Sequence, residues 1–129
     1  MNQHAIPDPI PNPETQAFWD AAREGIFTLR WCNSCNKTHW YPRAVCPHCM
    51  SSNTEWRKAS GRGTIYTFSI TRRANPPYAI AYVTLEEGPT MITNIVDCDF
   101  DDVMVGQKVE LVFRDSVNGQ AVPMFRLQR

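Results

Sequence analysis

The chain has 129 residues, 43% hydrophobic and 20% charged, and its 13 basic and 13 acidic side chains sum to a formal charge of zero. That is the size and make-up of one globular domain, or of a small domain with a stapled appendage. A net basic surface that would make nucleic acid the default partner is excluded, and no run approaches the ~20 apolar residues of a membrane helix.

The first residues, Met1-Asn2-Gln3-His4-Ala5, have neither the charge nor the apolar centre of a signal peptide. A cytoplasmic protein is therefore expected. Residues 1–11 read as an extended arm, because Pro7, Pro9 and Pro11 each fix φ and restrict the residue before. Ile6 and Ile10 are apolar handholds that such an arm could offer a partner. A helix follows, with Asn12 as its cap, Pro13 at the first helical position and Glu14 in the first turn. Phe18, Ala21, Ala22 and Ile26 recur at helical spacing, and Gly25 suits the C-terminal cap. Phe18 and Trp19 read either as packing on the chain itself or as a docking face for another subunit. Arm and helix together make a first unit, residues 1–27.

The second unit, 28–59, contains the strongest signal in the chain. Four of the five cysteines form two CxxC pairs, Cys32-Asn33-Ser34-Cys35 and Cys46-Pro47-His48-Cys49, within eighteen residues. Two such turns point four thiolates at one centre, which suits tetrahedral zinc. The same ligands would hold iron in a rubredoxin-like site. The segment between the pairs has little core of its own, so metal binding would replace it. With all four positions filled by protein, the zinc is structural and no site remains for water or substrate. His39 and His48 are not expected as ligands. Trp31, Trp40, Tyr41 and Trp56 would cover the knuckles, and Cys98 reads as an inert strand-end thiol.

Ser60-Gly61-Arg62-Gly63 marks a boundary, after which the apolar period becomes two. Tyr66, Phe68 and Ile70 share one face of a first strand. Further strands follow at about 79–86, 90–97 and 109–113, and the last runs from Ala121 to Leu127 behind an Asn118-Gly119 hairpin signal. Five short strands with no long interior helix predict an OB-type barrel over 60–129. An SH3-like barrel or small sandwich is the alternative. The expected class is thus mainly β: N-terminal helix, zinc ribbon, five-stranded barrel.

The ordered combination resembles a known family. Its pieces are Phe18-Trp19, Leu29-Arg30-Trp31-Cys32-Asn33-Ser34-Cys35, Tyr41-Pro42-Arg43 before Cys46-Pro47-His48-Cys49, Gly61-Arg62-Gly63-Thr64-Ile65-Tyr66-Thr67-Phe68, and Val105-Gly106-Gln107-Lys108-Val109-Glu110-Leu111. The layout is similar to the family catalogued as domain of unknown function 35, rubredoxin-like zinc ribbons joined to an acyl-CoA-associated OB fold. That resemblance implies a small stand-alone companion of a thiolase-superfamily enzyme: a thiolase, a synthase, or an aldolase (lyase) that shortens steroid side chains. Catalytic residues would lie on the large partner, with acyl-CoA at the shared interface.

The residues agree with a subunit that is not catalytic alone. The histidines all precede the barrel, and no Ser/His/Asp set or phosphate-binding glycine loop is visible. Charge is segregated: nine basic residues and two acidic ones lie between Arg23 and Arg73, and eight acidic and two basic ones between Glu86 and Asp115. Arg72 and Arg73, with Tyr78 beyond Pro76-Pro77, form a basic, aromatic loop that is the candidate contact near CoA. The competing function is single-stranded nucleic-acid binding, with Tyr66, Phe68 and Tyr82 stacking bases; at their spacing these rings are expected rather as barrel core.

Overall fold

In a computed structural model the described residues are 5–128. Residues 1–4, with His4 and most of the signal-peptide reading, lie outside them. The chain begins to coil where the cap was expected. Asn12 Oδ1 accepts the N–H groups of Glu14 at 3.0 Å and Thr15 at 3.1 Å, and its carbonyl accepts from Gln16 at 2.8 Å. Helix α1 then spans Gln16–Arg23. It ends in a Schellman turn: Gly25 at φ +78° donates to the Ala22 carbonyl, and Ile26 donates to that of Ala21. The buried face is Phe18, Trp19 and Ala22.

Three short strands, β1 (Thr28–Cys32), β2 (Lys37–His39) and β3 (Thr54–Lys58), form an antiparallel sheet in the order β2-β1-β3. Leu29 is its buried anchor. Arg–Trp pairs brace it, Arg30 lying 4.8 Å from the centre of the Trp56 ring and Arg57 4.3 Å from that of Trp31.

Strands β4 (Arg62–Thr71), β5 (Tyr78–Leu85), β6 (Thr90–Val96), β7 (Lys108–Asp115) and β8 (Ala121–Leu127) close into a barrel of order β4-β5-β6-β8-β7. The β6–β8 pair is parallel, and β7 closes antiparallel onto β4. This is the Greek-key closure of an OB fold. Ala79, Ala81, Val83 and Leu85 of β5 point inward with Met91 and Ile95 of β6, as the alternation predicts.

Strand β4 departs from the simple alternation. A bulge shifts its register between Ile65 and Thr67, and an extra residue in one strand moves the residues beyond it to the other face. Ile65 is therefore buried and Tyr66 exposed, while Phe68 and Ile70 pack on the core. Tyr66 does not share a face with Phe68 and Ile70. Tyr66 and Tyr82 are not core residues; of the three candidate stacking rings, Phe68 packs inward.

Ribbon, helix and barrel share one hydrophobic core. Phe18, Phe27 and Leu29 belong to the same buried cluster as Ile65, Val83 and Phe125. The Phe27 and Phe125 rings meet edge to face at 6.5 Å.

Candidate metal centre and contact surfaces

The two CxxC turns fold alike. Asn36 donates to the Cys32 carbonyl at 2.9 Å, and Met50 donates to that of Cys46 at 2.8 Å. The residue after each second cysteine is left-handed, Asn36 at φ 57° and Met50 at φ 66°. Such turns aim both sulfurs of a pair to one side. The Sγ atoms of Cys32, Cys35, Cys46 and Cys49 all lie within 4.8 Å of one another. Cys32 and Cys49 are 3.6 Å apart, and Cys35 and Cys46 3.7 Å. A tetrahedral metal with ~2.3 Å bonds to sulfur separates its ligands by about 3.8 Å. These are the distances of co-ligands, far longer than a disulfide's ~2.05 Å bond, and all four cysteines are free thiols.

The electrostatics of the cluster also call for a cation. Backbone N–H groups of Cys35 and then Ser34 lower the Cys32 thiol to about 6. Burial, followed by the neighbouring sulfurs of Cys49, Cys32 and Cys46, pushes Cys35 up to about 12. One sulfur ionises readily and its neighbour resists, because four thiolates cannot share so small a volume without a positive ion. The Cys46 sulfur accepts the His48 N–H at 3.4 Å. The donor set fits a structural metal.

His48 lies on the surface, and the clustered ligand atoms are those of the cysteines alone. His39 is 2% exposed, and neither ring nitrogen has a hydrogen-bond partner among the described residues. Burial lowers its pKa, with the Arg43 backbone acting in the opposite direction. It lines a cleft of about 450 Å³ with Trp31, Lys37, Trp40 and the β5–β6 turn at Glu87–Thr90. Sequence reading missed this cleft, because it joins edge strand β2 to a turn fifty residues further on.

The other site candidates scatter. Phe18 is fully buried and Trp19 is 8% exposed. Their rings meet each other at 5.0 Å, and Phe18 meets Trp40 at 5.1 Å. In the isolated chain they are core. Ile10 is 92% exposed, whereas Ile6 is half-buried and its carbonyl accepts the Val117 N–H. Arg72 pairs with Asp101 at 3.2 Å on the surface, Arg73 is exposed, and Tyr78 is half-buried at the start of β5. Leu85 ends that strand beside the ribbon-facing turn, so the Arg72–Arg73 loop and the ribbon lie at opposite ends of β5. Charge segregated along the sequence is recombined in space: Arg62 bonds Glu86 and Arg72 bonds Asp101.

Fold and cluster together define a protein built of a rubredoxin-like ribbon and an OB barrel. Two adjacent family models match the chain: the ChsH2 rubredoxin-like zinc ribbon domain over residues 19–55 and the ChsH2 C-terminal OB-fold domain over residues 56–114. The chain belongs to this ChsH2, or DUF35, family. A DUF35 domain-containing scaffold protein of Methanocaldococcus jannaschii is 39% identical over 90 residues, 64% of each chain. The match thus spans somewhat less than two thirds of that relative's length. A Thermomonospora curvata protein described as a probable enoyl-CoA hydratase alpha subunit is 27% identical over 125 residues, 93% of this chain and 39% of the other. Among solved structures, a chain of the Ltp2-ChsH2(DUF35) aldolase superposes with a TM-score of 0.81 at 26% identity, covering 93% of this chain and 98% of that one. A DUF35 protein of Sulfolobus solfataricus shares the fold at a TM-score of 0.68 and 14% identity.

Proposed function

We propose that the chain is a non-catalytic accessory subunit of a thiolase-superfamily complex acting on acyl-CoA, of thiolase, synthase or steroid side-chain aldolase type. The observation that carries this reading is the near end-to-end superposition on a chain of the Ltp2-ChsH2 aldolase. The chemistry of the chain supports it. Its clustered thiols are matched to a structural metal, taken as zinc, and His39 and Cys98 are buried. The metal would be held by Cys32, Cys35, Cys46 and Cys49, and would supply cross-linking rather than a reacting site. Ile10 on the arm and the exposed Arg73 beside Tyr78 are the proposed contacts to partner and CoA. The cytoplasm is the proposed compartment; no helix among the described residues is long and apolar enough to cross a membrane.

Co-expression with a thiolase-superfamily enzyme encoded beside it tests the proposal. The expected result is a stable complex whose acyl-CoA turnover falls when this chain is left out. A chain that remains alone beside every such enzyme overturns it.

Nucleic-acid binding keeps one favourable observation, the exposed Tyr66 and Tyr82 on the outer barrel face. Their neighbours Ser69, Ile80, Thr84, Ile92 and Asn94 are uncharged, and the cations at the edge of that face are Lys108, which bonds the Thr64 hydroxyl at 3.3 Å, and Arg62, which is paired with Glu86. Oligo-dT titration at low salt distinguishes the two readings.

A further inference from the structure

Asp8 of the proline arm sits on the turn between β7 and β8. Its Oδ1 accepts from the Ser116 hydroxyl at 2.5 Å and the Asn118 backbone N–H at 3.1 Å. Its Oδ2 accepts from the Asn118 side-chain amide. Nearby, the Ile6 carbonyl accepts the Val117 N–H at 2.9 Å. The turn itself is closed by the Gly119 N–H, which donates to the Ser116 carbonyl at 2.9 Å, with Gly119 at φ 87°.

An asparagine followed by glycine is chemically labile, because no side chain shields the next backbone nitrogen. That nitrogen, after losing its proton, attacks Cγ of the asparagine. The Cγ–Nδ2 bond breaks, ammonia leaves and a five-membered succinimide remains. Water from solvent then opens either carbonyl, leaving aspartate or isoaspartate. No oxidant or reductant is needed, and a neutral amide has become a carboxylate.

We infer that Asn118 is a deamidation site guarded by the docked arm, and that its modification releases the arm. With the arm in place both reacting groups are occupied. The Gly119 nitrogen is held in the turn hydrogen bond, and the Asn118 amide is held by Asp8. The product sets a second carboxylate against Asp8 and removes the Nδ2 donor. Two like charges in hydrogen-bond contact repel, so the modified turn no longer accepts the arm. Undocking permits the reaction, and the reaction prevents redocking. This does not depend on which partner the protein has, and every measurement uses the isolated, metal-loaded full chain.

At mildly alkaline pH, Asp8→Ala should deamidate at Asn118 at least about tenfold faster than the unchanged chain, as loss of a charge-assisted contact raises local opening. The mass of the tryptic peptide spanning 115–126 reports it. Asn53, exposed on the ribbon, is the internal reference and should not change. Asn118→Asp should reduce the exchange protection of the Val117 amide about tenfold, by the same loss. Adding Asp8→Asn to that variant should restore protection, because an amide again faces a carboxylate. Equal deamidation of Asp8→Ala and the unchanged chain overturns the inference. So does equal acceleration at Asn53, or a Val117 amide left protected in Asn118→Asp.

Discussion

Cys32 holds its proton less tightly than an ordinary thiol because the N–H groups of Cys35 and Ser34 face its sulfur. A group made more acidic by folding stabilises the fold where it is ionised. Its contribution is complete above the ordinary thiol value of 9.0 and is lost as pH falls through about 6. Metal retention should follow the same sign, since protons compete with the metal for thiolate. Acidification should therefore weaken metal retention, read with a chromogenic chelator, and mild alkali should not. Cys32→Ser and Cys46→Ser should each lose the metal at neutral pH, and unchanged metal content in both would refute the four-sulfur site. His39 titrates in a different window. Burial lowers its pKa from 6.5, so below that value the unfolded chain takes up a proton that the folded chain resists. Stability from the neutral ring is present above 6.5 and falls as pH drops beneath it. Neither ring nitrogen has a hydrogen-bond partner among the described residues, so His39→Leu should cost less than about 1 kcal/mol at pH ~7.5, where burying an unpaired polar ring has little to lose. It should also flatten the acid side of the denaturation midpoint below 6.5. Of these two residues, Cys32 was legible from its spacing alone. The burial of His39 was not, because it depends on which face of a three-residue edge strand turns inward.

At the scale of elements, alternation located all five barrel strands but not the bulge in β4. A bulge adds one residue to one strand, and Ile65-Tyr66-Thr67 carries no glycine or proline to mark it. The consequence was the misplacement of Tyr66. The Asn118-Gly119 signal located the last hairpin but not its turn type, since Gly119 takes positive φ and Asn118 does not. Gly63 is the converse case. It reads as part of the boundary before the barrel, yet it lies inside β4, where a Cβ would stand 2.6 Å from Val83 Cγ1 and 2.8 Å from the Thr84 carbonyl oxygen. Backbone there cannot give way without opening the β4–β5 pairing. Gly63→Ala should cost about 1–3 kcal/mol, the usual penalty of overpacking, in chemical denaturation. Gly88→Ala, where a Cβ meets nothing within 4 Å but φ is +115°, provides a comparison in which strain acts without a clash.

For the whole molecule, the ribbon-plus-barrel order was legible because each part has its own sequence period and its own punctuation. The shared core was not, because Phe18 and Phe27 come from segments about a hundred residues away from Phe125. That core changes what metal removal should do. From the sequence, loss of the metal is expected to unfold the ribbon and to detach or destabilise the helix. In the structure α1 is also held to the barrel: Gln120 accepts from Arg23 Nε at 2.9 Å and donates to the Trp19 carbonyl at 3.1 Å. Chelation should therefore abolish amide protection in residues 28–58 while the barrel strands and the Gln120 contacts persist, as hydrogen exchange would show. These long-range ties also set a schedule for a chain made from its N-terminus. The partners of Asp8, Trp19 and Arg23 are 108, 101 and 97 residues downstream. The sulfurs of Cys32 and Cys49 are 17 apart. Local closures precede distant ones, so the knuckle can take its metal while the barrel is still unmade. The arm and helix then leave the ribosome before the barrel and settle after it, and Phe18 and Trp19 lack the barrel's cover through that interval, an apolar stretch open to a chaperone until β8 arrives.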